Sequence, residues 1–387
     1  MTGNFDLGEA LVVFEKTEQT MSTPFGDPAD IRDWLNSEPP EIKEIFEGLL
    51  VQGIVGGLFA QGGVGKTYLM LCLMLSAALG TPFFRTFRPT RSMRVLGLLG
   101  EDPPEMIHRR LRGILKEFGD DIDTELLSEN LRIYSGKGVP FMQIDNGNPK
   151  LTSAFEWLKS EAEDFRPDLI FIDPKSMFYG LNENDNDHNT QWVVKLRELT
   201  MTGATVLFSH HVTKTLSGVL ELNGARGGSA LVDGSRFAAN MRQLPDDDAE
   251  KYGIDEPWRY IEFKVTKNSY IPKLPGSIFF KFTEGGALEE IDLKTTREYS
   301  LVEDLLAALT AEGAAGNFYT AREIERDGVV LPNLSRRDRK EAVRLAVDSG
   351  QLVTETITGK GRPRAVLVSN KGLLADMAQT DCAEVII

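Results

Sequence analysis

Residues 58–71 read LFAQGGVGKTYLML. An apolar run, GIVGGLFA, ends at Ala60 and reads as a short strand. Glycines follow at 62, 63 and 65, and Lys66 then opens KTYLMLCLMLSAALG, a stretch apolar enough for a largely buried helix. A helix that starts directly after a glycine-rich turn presents unpaired N–H groups and the positive end of its dipole to an anion. The glycines let backbone N–H groups turn inward onto phosphate oxygens, while the lysine supplies charge and the hydroxyl of Thr67 a ligand for Mg²⁺. Gly62, Gly63, Val64, Gly65, Lys66, Thr67 and Tyr68 are therefore the expected nucleotide contacts. Ala60 stands where the pattern prefers glycine. It only ends the strand, and alanine is the smallest departure.

Outward from this loop, MRVLGLLG (93–100), DLIFID and GATVLFSHH read as further strands with helical segments between them. Such alternation predicts an α/β fold with a mostly parallel sheet sandwiched by helices. FAANMRQL, RYIEFKVTKNSY and GSIFFKFTEG add strands with hairpin turns, closing a core that spans residues 45–293. Beyond it, SLVEDLLAALTAEG, TAREIERDG and SRRDRKEAVRLAVDSGQL read as three helices, and LVTETITGKGRPRAVLV as two strands around a basic turn. That order predicts a small C-terminal winged-helix (α+β) domain over 297–376, followed by a tail at 377–387. Residues 1–44 read as an acidic, partly ordered arm.

Bulk composition bounds the functions available. The chain has 387 residues, 41% hydrophobic and 26% charged, as expected of a soluble globular protein of two or three domains. Its two cysteines, Cys72 and Cys382, have no metal-ligand spacing. They suit a reducing cytoplasm and argue against a disulfide framework or zinc site. No run is apolar and long enough for a bilayer, and the acidic N-terminus lacks a secretory signal, so a cytoplasmic, non-membrane protein is expected. Net charge is −15, but it is uneven. Residues 1–50 hold eleven Asp/Glu against three Lys/Arg, whereas 335–364 hold eight Lys/Arg against four Asp/Glu. A basic surface on an acidic chain points to a polyanion.

A phosphate loop needs partners at neighbouring strand ends. Asp173, closing DLIFID, is the expected second Mg²⁺ ligand. Pro174 follows it, so the group that activates water must come from elsewhere. Glu101, at the end of MRVLGLLG, is the candidate for orienting and deprotonating that water, or else it caps the helix starting near Pro103. Ser209-His210-His211 closes another strand, where a polar side chain can sense the γ-phosphate. One histidine does so and the other is structural; the residues alone favour neither. Arg226, in the glycine-rich LNGARGGS, is either an arginine finger or an ordinary surface arginine. Lys267 is a second cation for the same phosphate.

The runs AQGGVGKT, LLGEDPPEMIHRRL, LIFIDP, FSHHVTK and ARGGSALVDGSRF resemble, over roughly 45–285, the RepA-type replicative helicases of broad-host-range plasmids. These belong to the RecA-like ATPase group that includes DnaB-type helicases. The resemblance implies a RecA-like P-loop NTPase core, ATP and Mg²⁺, and a hexameric ring moving on single-stranded DNA. It matches Lys66 and Thr67 to the phosphate and metal ligands, Glu101 to the catalytic glutamate and Asp173 to the metal-associated aspartate. His211 matches the γ-phosphate sensor and Arg226 a finger supplied in trans. The C-terminal module and the acidic arm lie outside it.

DNA contacts are expected from loops 181–191 and 214–224, with Lys214 the obvious phosphate partner, unless these are plain solvent loops. A second set is Arg336, Arg337, Arg339, Lys340 and Arg344 on one helix, with Lys360, Arg362 and Arg364 on the wing, suited to duplex or origin DNA. The alternative is a solvated helix face packed on the core or on a neighbour. Rival functions are a DNA-stimulated RecA-like ATPase without unwinding, and a regulator whose loop only binds nucleotide.

Overall fold

The computed structural model describes residues 28–119, 122–212, 228–327, 329–357 and 364–369. Residues 1–42 and 43–387 cluster as separate units. In the first, α1 (Ile31–Asn36) is capped by the Asp30 carboxylate, which accepts from the N–H groups of Arg32 and Asp33 at 2.9 and 3.1 Å.

The second unit begins with a small pair, β1 (Glu44–Phe46) and β2 (Leu50–Val51), before the phosphate-loop strand β3 (Val55–Ala60) and α2 (Lys66–Leu79). Next come β4 (Val95–Leu99), α3 (Pro104–Glu117), α4 (Thr124–Asn130), β5 (Leu131–Ser135), the hairpin β6 (Met142–Asp145) and β7 (Asn148–Leu151), and α5 (Ser153–Phe165). The chain continues through β8 (Leu169–Asp173), α6 (Asn186–Thr200), β9 (Thr205–His211), α7 (Gly228–Gly234), β10 (Phe237–Gln243) and α8 (Asp246–Tyr252). Strands β11 (Tyr260–Asn268), β12 (Ile278–Phe282) and β13 (Leu288–Ile291) follow.

Nine of these strands form one sheet in the order β13-β12-β11-β10-β3-β9-β8-β4-β5. From β10 to β5 every pairing is parallel, while β11, β12 and β13 extend the sheet antiparallel. The expected mostly parallel α/β core is thus present. β10 pairs parallel with β3 on one side and antiparallel with β11 on the other, so β10–β13 form the expected succession of antiparallel strands. The sequence reading also missed edge strand β5 and the β6–β7 hairpin.

Both faces of the central strands β3, β9, β8 and β4 are covered, which is why those strands read as apolar runs. Successive side chains alternate between faces. Leu169 and Phe171 pack with Leu69, Leu73 and Ile107 from α2 and α3. Ile170 and Ile172 pack with Phe155 and Leu158 of α5 and Trp192 and Leu196 of α6. Each such buried side chain contributes roughly 1.5–3 kcal/mol.

After β13, α9 (Leu293–Ala314) starts seven residues before the predicted helix, because the Asp292 carboxylate accepts from Thr295 N–H at 2.9 Å and nucleates it there. α10 (Ala321–Asp327) begins with a reciprocal cap between Thr320 and Glu323. α11 (Arg336–Asp348) is capped by Ser335, whose hydroxyl accepts from Asp338 N–H. β14 (Leu352–Ile357) pairs antiparallel with β15 (Arg364–Ser369). Leu301, Leu305, Ile324, Val343, Leu352 and Leu367 form a core of their own for these five elements.

Candidate nucleotide site

The parallel register brings the candidate residues to one edge of the sheet. β9 lies between β3 and β8, and β4 flanks β8 on the other side. Ala60 stands beside His211, and Leu99 beside Asp173. The C-terminal ends of four adjacent strands therefore face the phosphate loop together, where ligands bind in open α/β sheets.

The loop itself depends on Gly65, whose φ is +104°. A Cβ there would also lie 2.7 Å from Cζ of Phe282 and 3.0 Å from Cδ1 of Ile261. Only glycine satisfies both conditions, and α2 can then start at Lys66. Lys66 is 5% exposed, and its ammonium donates to the carbonyls of Gln61 at 2.8 Å and Ala60 at 3.1 Å. It also lies 3.1 Å from Nδ1 of His211. Burial pushes Lys66 down to about 8, against the opposing pull of Asp173 and Glu101.

Asp173 is buried and divides its oxygens between two hydroxyls. Thr67 Oγ1 donates to Oδ2 at 2.6 Å, and Ser209 Oγ to Oδ1. Ser209 was not singled out beforehand as a site residue. Its signal was its place at the end of an apolar strand, one full alternation before His211. A buried carboxylate beside a threonine hydroxyl is a hard-oxygen donor set that fits Mg²⁺, which keeps waters and phosphate oxygens for its remaining positions. Among the described residues no three His, Cys, Asp or Glu side chains come together as a metal cage, and a nucleotide-held Mg²⁺ needs none.

Glu101 is half exposed, and its Oε1 lies 3.5 Å from Nε2 of His211. The imidazole thus bridges Glu101 and Lys66. Next to it, Asp102 makes a two-point ion pair with Arg110, whose guanidinium sits 4.9 Å from the Tyr68 ring centroid. Tyr68 packs edge-on to Phe282 at 5.5 Å. Its ring is held between Arg110 and Phe282. Sequence reasoning did not find Arg110, since only the fold sets Asp102 beside it.

Two expected nucleotide residues are not brought to the loop. His210 points to the opposite face from His211, as neighbours on a strand must. Its ring packs edge-on to Phe59 at 6.1 Å, and Nδ1 is buried without a hydrogen bond. Burial, reinforced by Lys175, His211 and Lys66, pushes it down to about 3, so it is a neutral structural ring. Lys267 pairs with Ala238 at the far end of β10, and its ammonium donates to the carbonyls of Val232 and Asp233 at 2.9 and 3.1 Å. It stabilises the C-terminal end of α7.

The DNA candidates also separate. Arg339 is buried, donating to the carbonyls of Leu334 at 2.5 Å and Glu325 at 3.4 Å. It ties α11 to its neighbours and is not available to DNA. Arg344 is held on its own helix by Glu341 and Asp348, and Arg364 by Glu323. Arg336, Arg337 and Lys340 are exposed and make no hydrogen bond or ion pair among the described residues. Lys214, Arg226, Lys360 and Arg362 lie outside the described residues.

A glycine loop at a helix start, a buried lysine opening that helix, and a buried carboxylate accepting from the next threonine define a P-loop nucleotide site. A protein-family model described as an AAA domain matches residues 22–217, half of the chain. The chain belongs to that family, and is a P-loop ATPase. No helix among the described residues is long and apolar enough to cross a membrane.

Proposed function

We propose that this chain is an ATP-dependent replicative DNA helicase of a plasmid, phage or similar mobile element, translocating on single-stranded DNA as a hexameric ring. The observation that carries the reading is the line from Lys66 through His211 to Glu101. Nucleotide binding alone needs only the loop; a γ-phosphate contact joined to a half-exposed carboxylate suits hydrolysis. In this reading Lys66 exchanges its carbonyl partners for β- and γ-phosphate oxygens. Glu101 orients a water, takes its proton on the carboxylate as the oxygen attacks the γ-phosphorus, and ADP leaves with the bridging oxygen. His211 contacts the γ-phosphate and reports its presence to Glu101. Thr67 and Asp173 would hold Mg²⁺, which would neutralise phosphate charge when bound with the nucleotide. Arg226, on the sequence resemblance, completes the site of the next subunit.

The resemblance to RepA-type helicases supports DNA as the track, and a ring supplies valency where each subunit's grip is weak. In the C-terminal module, three helices before a hairpin support a winged helix over 297–376 beside an ATPase core at 45–293. Arg336, Arg337 and Lys340 remain as its DNA candidates. Those exposed cations also favour a second reading, a DNA-stimulated ATPase that reports to this module without unwinding. Native mass, ATP turnover with and without single-stranded DNA, and displacement of a strand from a forked duplex test the proposal. A monomer with DNA-independent turnover sinks the ring motor; stimulated turnover without displacement at either polarity selects the second reading. Arg226→Ala should cripple turnover while leaving nucleotide affinity near normal.

A further inference from the structure

The outward side of α3 presents His108, Arg109, Arg112 and Lys116 to solvent. None of the four has a hydrogen bond or ion pair among the described residues. Three of them, Arg109, Arg112 and Lys116, are formal cations on a chain of net charge −15. Elsewhere Arg91 is paired with Asp168 at 2.6 Å, Arg132 with Glu161 at 2.8 Å and Arg242 with Glu262 at 2.7 Å.

The helix that carries the stripe is firmly seated. Ile107 and Ile114 are buried in the core. Gly113 lies against the β12–β13 turn so closely that a Cβ would sit 2.6 Å from the carbonyl oxygen of Gly285. Arg110, on the flank, is fixed by Asp102 and Tyr68. With a rise of about 1.5 Å per residue, Arg109, Arg112 and Lys116 are stepped about 4.5 and 6 Å along the axis. They form a rigid row of positive charge that begins five residues into α3, one turn after the exposed Glu105.

We propose that this face of α3 binds the phosphate backbone of single-stranded nucleic acid without reading sequence. The inference rests on the reading of the chain as a DNA-driven ATPase and names a contact surface for it. Backbone contacts of this kind require cations on a fixed scaffold and no base-edge recognition. The same helix links the row to the nucleotide site, because Arg110 holds Asp102, the neighbour of Glu101.

The test is fluorescence anisotropy of a labelled oligo-dT against the full chain, titrated over a salt series. The variant combines Arg109→Ala, Arg112→Ala and Lys116→Ala. Each phosphate contact contributes about 0.7 to the log–log salt slope for a single strand, so the slope should flatten by about 2. Extrapolated between 1 M and 0.1 M salt, that is on the order of a hundredfold loss of affinity at the lower salt. Native mass and DNA-free ATP turnover should stay at wild-type values. An unaltered slope in the α3 variant overturns the inference while leaving the DNA-driven reading standing. A drop in native mass overturns it in favour of a subunit interface. A wild-type chain that neither binds oligo-dT nor responds to it overturns the reading beneath it.

Discussion

His210 is where mild acid should act on the folded chain. The perturbation is a drop from pH 7 to pH 5. The buried ring has its pKa pushed down to about 3, by burial first and then by Lys175, His211 and Lys66. In the unfolded chain the ordinary value of 6.5 applies. The unfolded state therefore binds a proton that the folded state refuses, and stability is lost as pH falls below 6.5, down to about 3. Each pH unit in that window is worth about 1.4 kcal/mol, so the stretch from 6.5 to 5 costs about 2 kcal/mol. His210→Leu places an apolar side chain against Phe59 and removes the titration. Urea unfolding of both proteins at pH 7 and pH 5 is the assay. The wild type should lose about 2 kcal/mol more than the variant over that interval. Parallel losses would refute the assignment of His210 as a neutral buried ring.

Other outcomes follow from single contacts. Lys175 is fully buried, with its ammonium 3.3 Å from the Tyr179 ring centroid, 3.9 Å from Glu183 and without a hydrogen bond. Lys175→Met relieves the burial of a charge and should leave stability unchanged or raise it by about 1–4 kcal/mol in thermal unfolding. Gly65→Ala meets both a positive φ and Phe282, so it should cost at least about 1–3 kcal/mol and abolish nucleotide binding in a fluorescent-analogue titration. Arg339→Met strands the carbonyls of Leu334 and Glu325, and should destabilise the chain by about 1–3 kcal/mol in urea unfolding. Lys66→Ala should abolish ATP turnover, measured as phosphate release, because no other cation is bonded within the loop among the described residues.

The elements legible in advance were those whose signal is local. AQGGVGKT, the run ending in Asp173 and the run ending in His211 each combine an apolar strand with a polar terminus. β5 was missed because its edge position gives a half-buried, mixed pattern with Arg132 and Ser135 in it. The β6–β7 hairpin did carry a signal, Asn146-Gly147, both at positive φ in the turn. Arg339 could also have been separated from its basic neighbours. It shares the inward spacing of Ala342, Val343 and Ala346, all buried.

By itself the sequence determined the chemistry on offer: a phosphate loop, carboxylates at the ends of two strands and a strand-end histidine pair. Those are properties of residue type and of neighbours within a few positions. Tertiary structure decided which of them meet. Thr67 and Asp173 are 106 residues apart, and Lys66 and His211 are 145 apart. Their contact depends on β9 lying between β3 and β8, an order set by helices packing on both faces of the sheet. Strand alternation places the two histidines on opposite faces, but only the packing of α2 against the sheet tells which face holds the loop. Lys267 had the right charge, but β11 places it beside the start of β10, away from the loop, because a charge in a sequence carries no record of where its strand will lie.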